Sequence, residues 1–289
     1  MTSTILVTGA TGRVGRELCR ELDAAGATFR VLVRDHARSA DLPARAARVV
    51  GDLGDPATLP AAFAGVDKLF LLAPGIALEH TTHAIAAARG AGVRHVVLLS
   101  SFAAGLDPVP AMGRWHHARE QLIRAAELPL TVLRPGGFMT NALDWAPTIR
   151  RGGYVLDPTG PGRYAPIDPA DIAAVAARAL TEDGHAGNAY LLTGGEVFTL
   201  AEQVAILAGA IGRAIEVRAA ATPDEIVRAR YPAGAPQVLA NAILEGFALV
   251  RANTTGTRTD TVERLVGRAP RTFAAWCARN AGAFTEPTA

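Results

Sequence analysis

The chain has 289 residues, enough for one large α/β domain or a domain with a smaller lobe around a sizeable core. Its net charge of +2 leaves no cationic surplus for a nucleic-acid partner, and no apolar run is long enough to span a bilayer. The opening MTSTILVTGATG lacks a basic segment followed by an apolar core and a cleavage site, so a cytoplasmic protein without membrane attachment is expected. Cys19 and Cys277, each inside a helical pattern, point to burial rather than a disulfide framework. Of the 29 basic residues only Lys68 is a lysine, so any mechanism that needs a lysine has one candidate.

Residues 4–8 form a short apolar, β-branched run that reads as a strand. Val14, Leu18 and Leu22 then recur at fourfold spacing and predict a helix that stops at Gly26. Strands are predicted at 29–33, 47–50, 69–73, 96–100 and 130–134, with helices at 56–63, 79–90 and 115–126 between them. The strands are unbroken apolar runs, as expected when both faces are covered, and strand–helix alternation implies parallel pairing with right-handed crossovers. The fold class expected is a doubly wound, Rossmann-type parallel sheet.

After Pro135 the regularity loosens. Residues 152–166 read as a Gly- and Pro-rich loop with a short strand, 172–180 as a helix behind Asp168-Pro-Ala-Asp171, and 190–193 as a strand returning to the sheet. From Thr199 the pattern is mostly helical, at 199–211, 223–230, 236–250 and 270–281, with a strand at 215–219. The expected division is a nucleotide-binding domain at 1–150, rejoined by 168–194, and a smaller, mainly helical substrate lobe from 151–167 and 195–289 over the carboxyl edge of the sheet.

Thr8-Gly-Ala-Thr-Gly-Arg-Val-Gly15 lies between the first strand and the first helix, the context a dinucleotide loop requires. Gly9 suits the tight turn, Gly12 the approach of a pyrophosphate, and Gly15 close packing of helix on strand, with the helix N-terminus facing the phosphates. The second strand ends in Arg34, followed by Asp35. An acidic residue there suits the ribose hydroxyls of NAD, and an arginine suits a 2′-phosphate. Arg34, with Arg13 in the loop and Arg38 nearby, favours NADP(H) over NAD(H); Asp35 is the dissenting residue unless it caps the next turn. Asp52 either accepts from an adenine amino group or caps the helix near Pro56. Ala73 and Pro74 end the fourth strand where a cofactor ribose would pass.

TGATGRVG (8–15), VLVRD (31–35), GDLGD (51–55), LLSS (98–101), LTVLRPGGFMTN (130–141), DPADIA (168–173) and VGRAPRTFAAW (266–276) together resemble the NmrA-like, atypical branch of the short-chain dehydrogenase/reductase superfamily. That branch holds NADPH-dependent quinone and azo reductases as well as NADP sensors that regulate protein partners. The resemblance implies that Gly9, Thr11, Gly12, Arg13 and Val14 line the pyrophosphate, Arg34 the 2′-phosphate and Asp52 the adenine. It puts Ala73 and Pro74 at the ribose, and Pro135, Gly136, Phe138 and Asn141 beside the nicotinamide and substrate. Phe138 and Met139 can equally be core residues.

Standard members of the superfamily carry Tyr-x-x-x-Lys on the helix after the serine strand, where the lysine lowers the tyrosine pKa. Here Ser100 and Ser101 stand at the strand end, but the helix reads Trp115-His116-His-Ala-Arg119-Glu120. His116 and Glu120 share a helix face, so Glu120 is expected to raise the histidine pKa and keep a proton donor charged near neutrality, with Ser101 polarising a carbonyl and Ser100 beside the cofactor. The alternative is that these are helix-surface residues and Trp115 packs inward. The His80 and His83 pair has helical spacing, but no completing ligands argue for a metal. The expected activity is NADPH-dependent hydride transfer to a quinone-like or aromatic carbonyl substrate lying among Met112, Trp115, Phe138, Met139, Asn141 and Trp145. An NADP(H) sensor or a tailoring enzyme of specialised metabolism stand as alternatives. The sequence permits a homodimer without naming a residue for it.

Overall fold

The computed structural model describes residues 3–285. Chain contacts divide these residues into two compact units, one comprising 3–109, 113–135 and 169–191, the other 110–112, 136–168 and 192–285.

The first unit opens with strand β1 (Thr4–Val7), helix α1 (Arg13–Ala24) and β2 (Thr28–Val33), followed by β3 (Ala47–Val50), α2 (Leu59–Phe63), β4 (Lys68–Leu71) and α3 (Glu79–Ala91). Then come β5 (His95–Leu99), α4 (Ala111–Ala125) and β6 (Leu130–Pro135), before a second-unit segment with α5 (Ala146–Gly152) and β7 (Tyr154–Asp157), then α6 (Pro169–Thr181) and β8 (Ala189–Leu192). The seven-stranded sheet runs β3-β2-β1-β4-β5-β6-β8. β1 pairs in parallel with β2 and β4, and the parallel pairing continues outward to β3 and β6. At the far edge the amide of Val132 donates to Asn188 and that of Gly136 to Leu192, ascending along both strands as in a parallel pair.

β5 is buried along its whole length, which is why its sequence, HVVLL, does not alternate. Leu6, Leu69, Val96 and Val132 on the strands join Leu59, Phe63, Ala84 and Ile123 on the helices in one core. α6 packs on α1. Its ADIAAVAA run is buried all round, and its small alanines let it lie inside the unit.

The second unit continues with α7 (Leu200–Ile211), β9 (Glu216–Ala219), α8 (Pro223–Arg230), α9 (Gln237–Arg251), α10 (Thr261–Val266), α11 (Phe273–Asn280) and α12 (Gly282–Thr285). Its core gathers Ile149, Val155, Leu207, Phe273, Trp276 and Phe284, with Phe273 stacked on Trp276 at 5.6 Å between ring centres. β7 and β9 form a separate parallel pair. Residues 136–150, grouped from sequence with the nucleotide-binding domain, cluster with this unit instead. They hold a 3₁₀ segment, Met139–Trp145, and α5, whose Met139, Ala142, Ala146 and Ile149 all face the second core.

Candidate dinucleotide-binding site

Parallel pairing in the order β3-β2-β1-β4 brings four strand carboxyl ends to one edge. The residues that follow each strand enclose a pocket of about 300 Å³ there. Thr8, Gly9 and Thr11 come from the β1 end, and Arg34 and Asp35 from the β2 end. Asp52, Leu53 and Gly54 follow β3, Leu72 and Pro74 follow β4, and His80 reaches in from α3.

The glycine loop is built as its sequence requires. Gly9 adopts φ +64, a left-handed conformation that strains any residue with a side chain, and a Cβ on Gly15 would lie 2.1 Å from the Gly9 carbonyl oxygen, so Gly15 accepts no side chain without moving backbone. Gly12 is the N-cap of α1, and a Cβ there would meet only the Gly9 oxygen, at 3.2 Å. Arg16 Nε donates to the Thr11 carbonyl at 2.8 Å and braces the loop. Buried Thr8 accepts the Leu72 amide at 2.8 Å and donates toward the Leu72 carbonyl at 3.1 Å, tying the β1 and β4 ends together. A helix N-terminus with no side-chain cap, led into by a loop on the wall of a pocket that also carries an arginine, fits a phosphate-bearing dinucleotide.

Asp35 Oδ1 accepts the Ala37 amide at 2.9 Å and is the N-cap of the following 3₁₀ turn, so the dissenting carboxylate is engaged as a cap. Arg34 is exposed on the pocket wall. The side chain of Arg38 lies outside the described residues. The turn at Pro56 is capped by Asp55, not Asp52. Asp52 Oδ1 instead accepts the Gly54 amide at 2.9 Å.

Of the residues expected at a cofactor, the pocket wall takes in Gly9, Thr11, Arg34, Asp52 and Pro74. Val14 and Ala73 are core residues, 2% and 9% exposed. Arg13 is exposed on the first turn of α1, and Pro135 is buried at the end of β6. In the second unit Gly136 is half-buried, its amide held by the Leu192 carbonyl, and Phe138 is half-buried beside Ile167. The wall also takes Thr8, Leu53, Gly54, Leu72 and His80, to which the sequence assigned no cofactor role. The strand-to-loop hinge after each predicted strand was the signal for most of them. His80 showed in the sequence only as half of a helically spaced histidine pair.

The helix at 115–120 departs from expectation. Glu120 is 1% exposed, and its carboxylate is taken by Ser100 Oγ at 2.6 Å and by Arg134 through Nε at 3.0 Å and a terminal nitrogen at 2.6 Å. Ser100, expected beside the cofactor, thus donates its hydroxyl hydrogen inside this cluster, and Ser101 accepts the Ala103 amide as the cap of a 3₁₀ turn. Burial pushes the His116 imidazole down to about 4, the positive Arg119 pushes the same way, and Glu120 opposes them weakly. The expectation of a charged His116 near neutrality is therefore corrected: desolvation outweighs the carboxylate, which is already committed to Arg134. His116 Nδ1 is buried without a partner among the described residues. Arg119, 2% exposed, donates to the Gly75 and Ala77 carbonyls at 2.6 and 3.2 Å and pins the loop that carries Pro74.

Of the expected substrate contacts, Met139 is 2% exposed within the second core and Trp145 packs against it. Met139 is thus packed in that core. Met112, Trp115 and Asn141 are half-buried. His80 and His83 point their Nδ1 atoms at the carbonyls of Pro74 and Leu53 respectively.

A family model described as NAD(P)H-binding matches residues 9–183, well over half of the chain. The chain belongs to that family. It is 39% identical to the NAD(P)H azoreductase of Xenophilus azovorans, over 97% of this chain and 99% of that protein. It is 38% identical to the (4-alkanoyl-5-oxo-2,5-dihydrofuran-3-yl)methyl phosphate reductase of Streptomyces griseus, with the same coverage. The crystal structure of an NADPH-dependent quinone oxidoreductase from Escherichia coli complexed with NADPH superposes with a TM-score of 0.84 at 27% identity, over 95% of this chain and 99% of that one. The chain is accordingly an NmrA-like, atypical short-chain dehydrogenase/reductase, an NAD(P)H-dependent oxidoreductase that takes NADP(H).

Proposed function

We propose that this chain is a reductase of quinone-like or other flat aromatic acceptors that prefers NADPH to NADH and works without the Tyr-x-x-x-Lys relay. One observation carries the cofactor preference. Arg34 is exposed on the pocket wall while Asp35, the residue that would hold the ribose hydroxyls of NAD, is spent on the Ala37 amide. Gly9, Thr11 and the N-terminus of α1 would hold the pyrophosphate, Arg34 the 2′-phosphate, and Asp52 the base. NADPH, when bound, supplies a hydride.

The proton side of the chemistry supports an acceptor that needs little help. His116 is neutral at pH 7, and Glu120 is bound to Ser100 and Arg134, so neither is a ready acid. Tyr164 in the second unit is no substitute, since burial pushes its hydroxyl up to about 12 and it donates to Gln203. A quinone or similar electrophile accepts hydride without prior protonation and takes its proton from solvent, so the protein contributes proximity and orientation. The azo and quinone reductases among the similar proteins are named for acceptors of this kind.

The test follows loss of NADPH absorbance with a panel of quinones, azo dyes and aromatic ketones. Turnover is expected with the quinones and dyes and little or none with unactivated ketones; tight NADPH binding with no turnover across the panel would overturn the reading. Arg34→Glu should weaken NADPH by about tenfold or more, the cost of a charge-assisted contact, and leave NADH nearly unchanged. Equal losses for the two cofactors would remove the 2′-phosphate assignment.

A further inference from the structure

We infer that His80 is a base-recognising residue of this pocket, presenting its ring Nε2 as an acceptor to the exocyclic amino group of adenine; the inference rests on the pocket being the NADP(H) site. His80 is the second residue of α3 and lines the pocket beside the loop that follows β3. Its Nδ1 lies 3.2 Å from the Pro74 carbonyl oxygen. A carbonyl oxygen only accepts, so Nδ1 carries the hydrogen, and in a neutral imidazole Nε2 is then an acceptor.

Gly54 lies beside that acceptor. A Cβ built on Gly54 would lie 3.4 Å from His80 Nε2 and the same 3.4 Å from Asp52 Oδ1. Two acceptors from separate segments of the chain therefore flank Gly54 on the pocket wall, and no side chain stands between them. Asp52 is held there by the Gly54 amide. Two such acceptors call for a group with two hydrogens, and the amino group on C6 of adenine is such a group. Hypoxanthine has a carbonyl at the same position, which would set lone pairs against lone pairs. Discrimination of this kind comes from leaving polar groups unpaired in the wrong complex.

The experiment measures dissociation constants of the whole chain for NADPH and for its hypoxanthine analogue, reduced nicotinamide hypoxanthine dinucleotide phosphate, by calorimetry. Wild type should prefer NADPH. His80→Phe keeps a flat ring and removes both nitrogens. It should weaken NADPH about twofold to tenfold, the worth of one neutral hydrogen bond, and leave the analogue nearly unchanged. Gly54→Ala keeps both acceptors but fills the space between them, and should compress the same preference. Equal weakening of both cofactors in His80→Phe would report a shift of the Pro74 loop and overturn the inference. So would a wild type that does not distinguish the bases. Either result leaves NADPH binding, and the proposed function, standing; failure of NADPH to bind at all would overturn both.

Discussion

His95 sits inside the first unit, 8% exposed, with Nε2 2.8 Å from Thr131 Oγ1. The Thr131 hydroxyl donates onward to the His185 carbonyl at 2.7 Å, so it accepts from His95 Nε2–H. Burial, with the nearby Lys68 and His185 adding to it, lowers this imidazole from 6.5 to about 4, and His116 falls to about the same value. The consequence for stability has a definite sign. The folded chain leaves both rings uncharged down to about pH 4, whereas the unfolded chain protonates them below about 6.5. Stability is therefore full above pH 6.5 and is lost as pH falls toward 4, by up to about 1.4 kcal/mol per pH unit for each ring. Denaturant midpoints at pH 7, 6 and 5 should fall steadily, and less steeply in His95→Gln; equal slopes would contradict the assignment. Glu120→Gln tests the neighbouring cluster. It leaves the Arg134 guanidinium without its charge partner and should cost about 3 kcal/mol, read as a lower unfolding midpoint. A loss below about 0.5 kcal/mol would mean that the ion pair is as weak as an exposed one.

At the scale of elements, the glycine loop and α1 act as one piece. Gly15 lies against the backbone of Gly9 and Ala10, and backbone cannot swing aside as a flexible side chain can. Gly15→Ala should push α1 off β1, weaken NADPH binding at least tenfold and destabilise the fold by about 1–3 kcal/mol. Retained binding in that variant would show that the loop does not set the site. The strands and helices of the first unit were legible because each carries its own period: unbroken apolar runs in β1, β4 and β5, fourfold apolar spacing in α1. The segment 139–152 was harder to read. Pro147 looks like a breaker but sits in the first turn of α5, where its missing N–H costs nothing. Likewise β7 and β9 each read as a short strand, but their pairing joins Tyr154 to Glu216, and nothing local in either segment names its partner.

For the whole molecule, a ligand that binds only the folded chain stabilises it by mass action. NADPH at about a hundred times its dissociation constant should add about 2.7 kcal/mol and raise the thermal midpoint, with a smaller rise for Arg34→Glu at the same concentration. No shift at saturation would place binding outside the folded unit. On the sequence alone rested the parallel α/β class, the position of the phosphate loop, the Arg34–Asp35 ambiguity and the absence of tyrosine and lysine from the helix at 115–120, because each is a matter of residue type at a fixed local spacing. Tertiary structure decided which of two acidic residues caps a turn and which stays on the pocket wall. It decided that Glu120 pairs with Arg134 rather than charging His116, and that His80 joins Asp52 across Gly54. Those outcomes depend on burial and on side chains brought together from separate strands and helices, and no local pattern in the chain encodes either.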